Sequence, residues 1–220
     1  MFSFSWIPQY WPLIANGMVV TVALSTGGAV CGVMVGILCN RVRLGGRRVV
    51  QAPVNAYIEF IRNTPFIIQL FFIFFGLPAL GLRLSPLTSA FIATLLNVGA
   101  YSAEIIRAGL DATPRGQVEG ATSLGMSRSE TFWHIQLVPA LQRIWPALSS
   151  QLVLVMLGSA VVSQIAVEDL SYAANFIQSR NFRAFETYFA LTVLYLLLSI
   201  LYRFALAEVG RRVFPRGLGT

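Results

Sequence analysis

The chain has 220 residues, 56% of them apolar and 11% charged, with a formal net charge of +7 and a mean hydropathy of +0.69. An average soluble domain carries about 25% charged residues, so a soluble core of this size would lack the polar surface to cover it. All 16 basic residues are Arg, which excludes a Walker A lysine for a P-loop ATP site and a Schiff-base lysine for carbonyl chemistry.

The chain therefore reads as an all-α membrane protein. A hydrocarbon core about 30 Å thick takes roughly 20 apolar residues per helix. Charge-free runs over 1–40, 63–82, 84–103, 144–167 and 187–202 predict five transmembrane helices. The first covers about Leu13 to Cys39. Its lead holds Trp6, Tyr10 and Trp11, which suit an interfacial aromatic belt, and Pro8 and Pro12 are expected to break any helix there. No positive n-region precedes it, so it does not read as a signal peptide. Gly28, Gly32 and Gly36 form a tandem GxxxG that lets another backbone approach closely, within one subunit or between two. Cys31 and Cys39 match no zinc or redox spacing and read as small hydrophobes. Pro65 is expected to kink the second span. Ser85-Pro86 reads as an N-cap with Pro at N1, fixing the start of the third. The fifth reaches full length if Arg203 snorkels to the interface.

Five spans put the termini on opposite sides, and the positive-inside rule orients them. With the N-terminus outside, the inner segments carry Arg41, Arg43, Arg47, Arg48, Arg115, Arg128, Arg143, Arg211, Arg212 and Arg216. The outer ones carry only Arg83, Arg180 and Arg183. Arginines that flank spans argue against a nucleic-acid partner. Residues 1–220 read as a single transmembrane domain with one long inner loop at about 110–143, and long ordered loops tend to be functional.

In that loop Thr113-Pro114 is expected to open a short helix, with Gly125 as its left-handed closing residue. Ser127-Arg128-Ser129-Glu130 reads as a capping box that opens a second helix through Phe132, Trp133 and Ile135. The small residues Gly120 and Ala121 beside Glu119 give the first helix a low profile. It suits either a groove on another protein or an anionic lipid surface.

Glu119-Gly120-Ala121, Gly125 and Ile135-Gln136-Leu137 stand at the spacings of a known signature loop. Here the chain resembles the permease subunits of ATP-binding-cassette importers in the polar amino acid branch. The family usually has Ala where Gly120 stands, and Pro where Val138 stands, whereas proline here is Pro139. Tyr57–Pro65, Gln69–Pro78, Ala100–Arg107 and Pro114–Gln117 extend the likeness, which covers roughly residues 10 to 210. It loosens after Gln151, where Leu157-Gly158-Ser159-Ala160 replaces a stretch in which many relatives carry a Lys.

The resemblance implies a type I importer permease fold in the bacterial inner membrane, N-terminus periplasmic and C-terminus cytoplasmic. It implies a second permease subunit, identical or paralogous, a P-loop ATPase dimer docked on the inner loops, and a periplasmic solute-binding protein that delivers the amino acid. Glu119, Gly120, Ala121 and Gly125 are then the ATPase-coupling residues. No cofactor, metal or catalytic residue is expected in this chain, since ATP and Mg belong to the partner.

Within the spans, Gln69, Asn97, Tyr101, Ser159 and Gln164 can hold a zwitterion without buried charge or bond helix to helix. As a set they are the expected substrate path. Glu59 with Arg62, and Glu104 with Arg107, stand at i,i+3 spacing near inner helix ends, as structural ion pairs or as a gate. Glu168, Asp169, Arg180, Arg183 and Glu186 form an outer segment that either meets a binding protein or is a solvated face. A self-sufficient secondary transporter or channel is the alternative, which the missing internal repeat disfavours. One His, His134, gives no triad or metal cluster for an enzyme.

Overall fold

The computed structural model describes residues 4–214, which leaves Arg216 outside the described residues. Its elements are helical throughout. Helix α1 runs Ile7–Gly45, α2 Arg48–Arg62 and α3 Phe66–Phe71, the last continued by a π turn at Phe72–Gly76 and a 3-10 turn at Leu77–Leu80. Then come α4 (Pro86–Asp111), α5 (Arg115–Ser123) and α6 (Arg128–Glu130). A π segment, Thr131–Leu137, joins α6 to α7 (Val138–Gly158), which ends in a 3-10 stretch, Ser159–Ile165. Helices α8 (Leu170–Asn181) and α9 (Ala184–Val213) complete the chain. Four stretches are long and apolar enough to span a bilayer: α1, α4, residues 128–165 and α9. The pair formed by α2 and residues 66–80, bent by 113° at its break, passes the same test only when the two parts are taken together, and makes a fifth crossing if it is one span.

Three expectations are corrected. Pro8 and Pro12 do not break the lead, because α1 is helical from Ile7. Pro8 falls in the first turn, where no N–H is required, and Pro12 costs the helix a single bond to the preceding turn. Pro65 does more than kink a continuous span. It stands at the N-cap of a separate helix in extended backbone, the conformation open to proline ahead of a helix start. Pro114 caps α5 where Thr113 was expected to, and α5 begins at Arg115.

The pairing of α1 with α4 is the most extensive in the molecule, and the tandem glycines create it inside one subunit. A Cβ on Gly28 would stand 2.6 Å from Thr94 Cγ2, and one on Gly36 would stand 2.9 Å from the Ala103 backbone nitrogen. Asn40 locks the far end of this seam by donating to the Ala103 carbonyl at 2.7 Å. Helix α7 closes on the pair through Leu152 and Met156 against Ala29 and Val98. Trp145 ties α7 to α9 by donating to the Leu206 carbonyl at 3.1 Å.

The connection between the fourth and fifth spans is anchored by Asp169, which is fully buried. Its Oδ1 accepts from the Tyr172 N–H at 2.8 Å, capping α8. The neighbouring Leu170 N–H donates to Thr21 of α1 at 3.2 Å. Burial pushes the Asp169 carboxyl up to about 6 from 3.8, despite hydrogen bonds from the Tyr172 and Ser171 amides and the Tyr195 hydroxyl that favour the anion. A carboxyl whose pKa rises on folding binds its proton more tightly in the folded state. Between pH 4 and 6 the folded chain thus holds a proton that the unfolded chain has lost. Stability falls as pH rises through that window, by on the order of 3 kcal/mol from this group. Asp169→Asn keeps a good cap and removes the cost of the anion. The variant is expected to unfold at a higher temperature than the parent at pH 7.5 in detergent, with the gain vanishing by pH 4. A gain equal at both pH values, or a loss at pH 7.5, contradicts this reading.

Candidate functional site

The break at 63–65 frees backbone carbonyls that the helix no longer pairs. Gln69, one turn into α3 and nearly fully buried, meets that need. Its Nε2 donates to the Ile61 carbonyl at 2.7 Å and to the Thr64 carbonyl at 3.0 Å. Its Oε1 in turn accepts from Asn97 Nδ2 at 3.1 Å, tying the broken span to the middle of α4. This staple forms one edge of a cavity of about 570 Å3 between the break, α4 and α7, lined by Thr64, Thr94, Asn97, Tyr101, Gln151 and Gly158 among others.

Of the five residues expected on a substrate path, Asn97 and Tyr101 line this cavity. Gln69 lies behind Asn97 as its hydrogen-bond partner. Ser159 does not belong with them: it is buried and donates to the Met156 carbonyl at 2.7 Å, closing the C-terminal turn of α7. Gln164 is exposed and is not among the cavity residues. Thr64, Thr94 and Gln151 were missed, while Gly158 stood out only within the stretch that departs from the family. Gln151 and Gly158 stand seven residues apart, two turns on one face of α7, and that spacing was a usable signal.

The two expected ion pairs become one hub. Glu104 accepts from Arg43 at 2.6 Å, from Arg62 at 3.2 Å and from Arg107 at 3.1 Å. Arg62 thus reaches across to α4 instead of pairing with Glu59, because the 113° bend points the end of α2 at that helix. Glu59 lines the adjoining polar cavity of about 480 Å3 with Arg43, Asn55 and Arg107. The Arg62 guanidinium also lies over the Tyr101 ring, 5.9 Å from its centroid, so the hub and the larger cavity meet at Tyr101.

At the same end of the bundle the loop from α5 to α7 is built as the residue types demand. Gly125 adopts φ +79°, with the Met126 N–H returning to the Ala121 carbonyl at 3.1 Å to close α5. Ser127 and Glu130 form both halves of a capping box. Pro139 supplies no N–H to the preceding turn, and the helix there widens into the π segment before α7. Ala121 is buried and faces the bundle, so of the four expected coupling residues Glu119, Gly120 and Gly125 stand on the free side. Leu124, 85% exposed at the tip, joins them. A Cβ on Gly120 would meet nothing within 4 Å, so alanine fits there as well.

A bundle with one sharply bent helix pair, a largely apolar cavity carrying a few polar groups at the bend and a structured loop presented outside the spans is the architecture of a membrane-spanning transport subunit that works through partners. The family model for the binding-protein-dependent transport system inner membrane component matches residues 28–215. The chain belongs to this family, the inner-membrane permease subunits of ABC importers. It is 33% identical over 204 residues to the glutamine transport system permease protein GlnP of Escherichia coli (strain K12), covering 92% of this chain and 93% of that one. It is 34% identical to the L-cystine transport system permease protein TcyB of Bacillus subtilis (strain 168), covering 79% and 74%. The crystal structure of an amino acid ABC transporter with histidines superposes with a TM-score of 0.86 at 32% identity, over 96% of this chain and 99% of that one. The MetNI methionine ABC transporter in inward-facing conformation shares the fold, with a TM-score of 0.75 at 23% identity over the same shares.

Replacing Gln69 by Leu keeps its bulk and strands the Ile61 and Thr64 carbonyls and the Asn97 amide. The variant is expected to lose about 2 kcal/mol or more of stability, read as a lower unfolding midpoint in detergent, together with transport. Unchanged stability contradicts the staple.

Proposed function

We propose that this chain pairs with a second permease subunit, identical or paralogous, to carry a polar amino acid or close derivative across the bacterial inner membrane. A P-loop ATPase dimer, holding ATP and Mg, docks on the loop at about 110–143 and hydrolyses the nucleotide. The chain itself binds no cofactor or metal and supplies no catalytic residue. A periplasmic solute-binding protein delivers the substrate at the opposite face. The N-terminus lies in the periplasm and the C-terminus in the cytoplasm, as the arginine distribution requires. Residues 1–220 act as a single permease domain.

The observation that carries this reading is the free side of α5, where Leu124 is 85% exposed and Glu119 and Gly120 are exposed as well. An apolar side chain held out on a rigid, well-capped turn suits a pocket on another protein. The support behind it is continuous. Helix α5, with Ala121 buried, packs on the π segment, the π segment runs directly into α7, and α7 carries Gln151 and Gly158 into the cavity. Movement imposed on α5 by closure of the ATPase therefore reaches the cavity wall through one backbone. Asn97 and Tyr101 lie on the substrate path, and the Glu104 hub clamps its cytoplasmic end.

Purification of the chain from its native membrane in mild detergent is expected to retain a P-loop ATPase with ATP-hydrolysing activity. Glu119→Arg, a change at an exposed position, is expected to lose the ATPase while keeping the unfolding midpoint of the parent. Equal retention by the variant contradicts the docking site. Absence of any ATPase from the parent, under conditions that hold other complexes together, contradicts the proposed function.

A further inference from the structure

The geometry points to a charge filter: the cavity at the helix break takes amino acids with polar, uncharged side chains and rejects those with cationic side chains. This inference rests on the cavity being the substrate path. Its polar lining consists of Thr64, Thr94, Asn97, Tyr101 and Gln151, and no ionisable carboxylate stands among the described lining residues. An α-ammonium and α-carboxylate are common to every amino acid and compensate each other. A guanidinium or ammonium on the side chain adds one unmatched charge in a site with low local dielectric, where amides and hydroxyls cannot neutralise it.

Two further observations sharpen the filter. A cation stands against the lining, since Arg62 lies over the Tyr101 ring. Its counter-ion Glu104 is already shared with Arg43 and Arg107. Thr94 lies in the wall at 1% exposure, and its Oγ1 has no hydrogen-bond partner among the described residues. The wall also has a vacancy of defined size. Gly158 lines the cavity, and a Cβ placed on it meets nothing within 4 Å. A side chain can therefore start there without its Cβ meeting a neighbour, and an aspartate would bring a carboxylate to the cavity wall.

The test uses the purified permease–ATPase complex without a binding protein, so that selection belongs to the permease alone. Binding of radiolabelled L-glutamine, L-serine and L-cystine is measured by scintillation proximity, with L-arginine and L-lysine as competitors. A neutral probe is expected to bind and to be weakened by Asn97→Leu. Arginine and lysine are expected to need at least a tenfold higher concentration than the neutral amino acid to displace it. Gly158→Asp is expected to lower the arginine requirement at least tenfold. Displacement by arginine as readily as by the neutral amino acid in the parent, or a folded Gly158→Asp variant that gains no arginine affinity, overturns the filter and leaves the path standing. Binding untouched by Asn97→Leu, or no amino acid bound at all, overturns the path itself.

Discussion

A helix that breaks among packed neighbours must have its freed, buried carbonyls satisfied by the protein. Gln69 does this for Ile61 and Thr64, and its own oxygen is held by Asn97. The bend this staple maintains shapes the rest of the site. It turns α2 so that Arg62 meets Glu104, and it sets Thr64, Pro65 and Phe66 as one wall of the cavity opposite α4 and α7. An amide suits the task where a charged group would not, since it gives and accepts hydrogen bonds without the cost of buried charge.

The α1–α4 seam supplies the fixed frame against which that wall stands. Glycine at three successive turns removes the side chains that would hold the two backbones apart, and close approach maximises the dispersion contacts that membrane helices depend on. Against this frame, α7 is the element with connections at both ends. Its start continues from the π segment seated under α5, and its later turns reach the cavity. Arg41 lies over the Phe132 ring at 5.6 Å, and Arg143 donates to the Ala112 carbonyl at 3.1 Å. These contacts tether the loop to the ends of α1 and α4.

Local patterns were legible in the sequence because each is decided by a few neighbouring residues. The capping box at Ser127, the left-handed Gly125 and the Ser85-Pro86 start of α4 depend only on backbone geometry within one turn. The glycine spacing announced a close seam but left its partner open, since the residues of α4 that fill it are about 65 positions away. The Glu59–Arg62 pair failed for the same reason: spacing placed them together on one helix, and the tertiary bend gave Arg62 a better partner on α4. Proline was misread in both directions. Pro8 and Pro12 were expected to stop a helix that tolerates them near its start, while Pro65 ends one outright. Thr94 carried no signal of its own in an apolar run, and its place in the site arises from facing the same space as Gly158.

The link from the docking loop to the cavity is tested most directly by the reactivity of a cysteine in the cavity wall. Leu154, 61% exposed and outside the hydrogen-bond staple, is the position to use. Leu154→Cys would be made in a background with Cys31 and Cys39 replaced by Ala, and the complex with its ATPase reconstituted in liposomes. Labelling by a hydrophilic maleimide is then timed without nucleotide and in the vanadate-trapped state. Labelling rates that differ several-fold between the two states are the predicted result. Equal rates in both would contradict the account, because the cavity would then be indifferent to what happens at the loop.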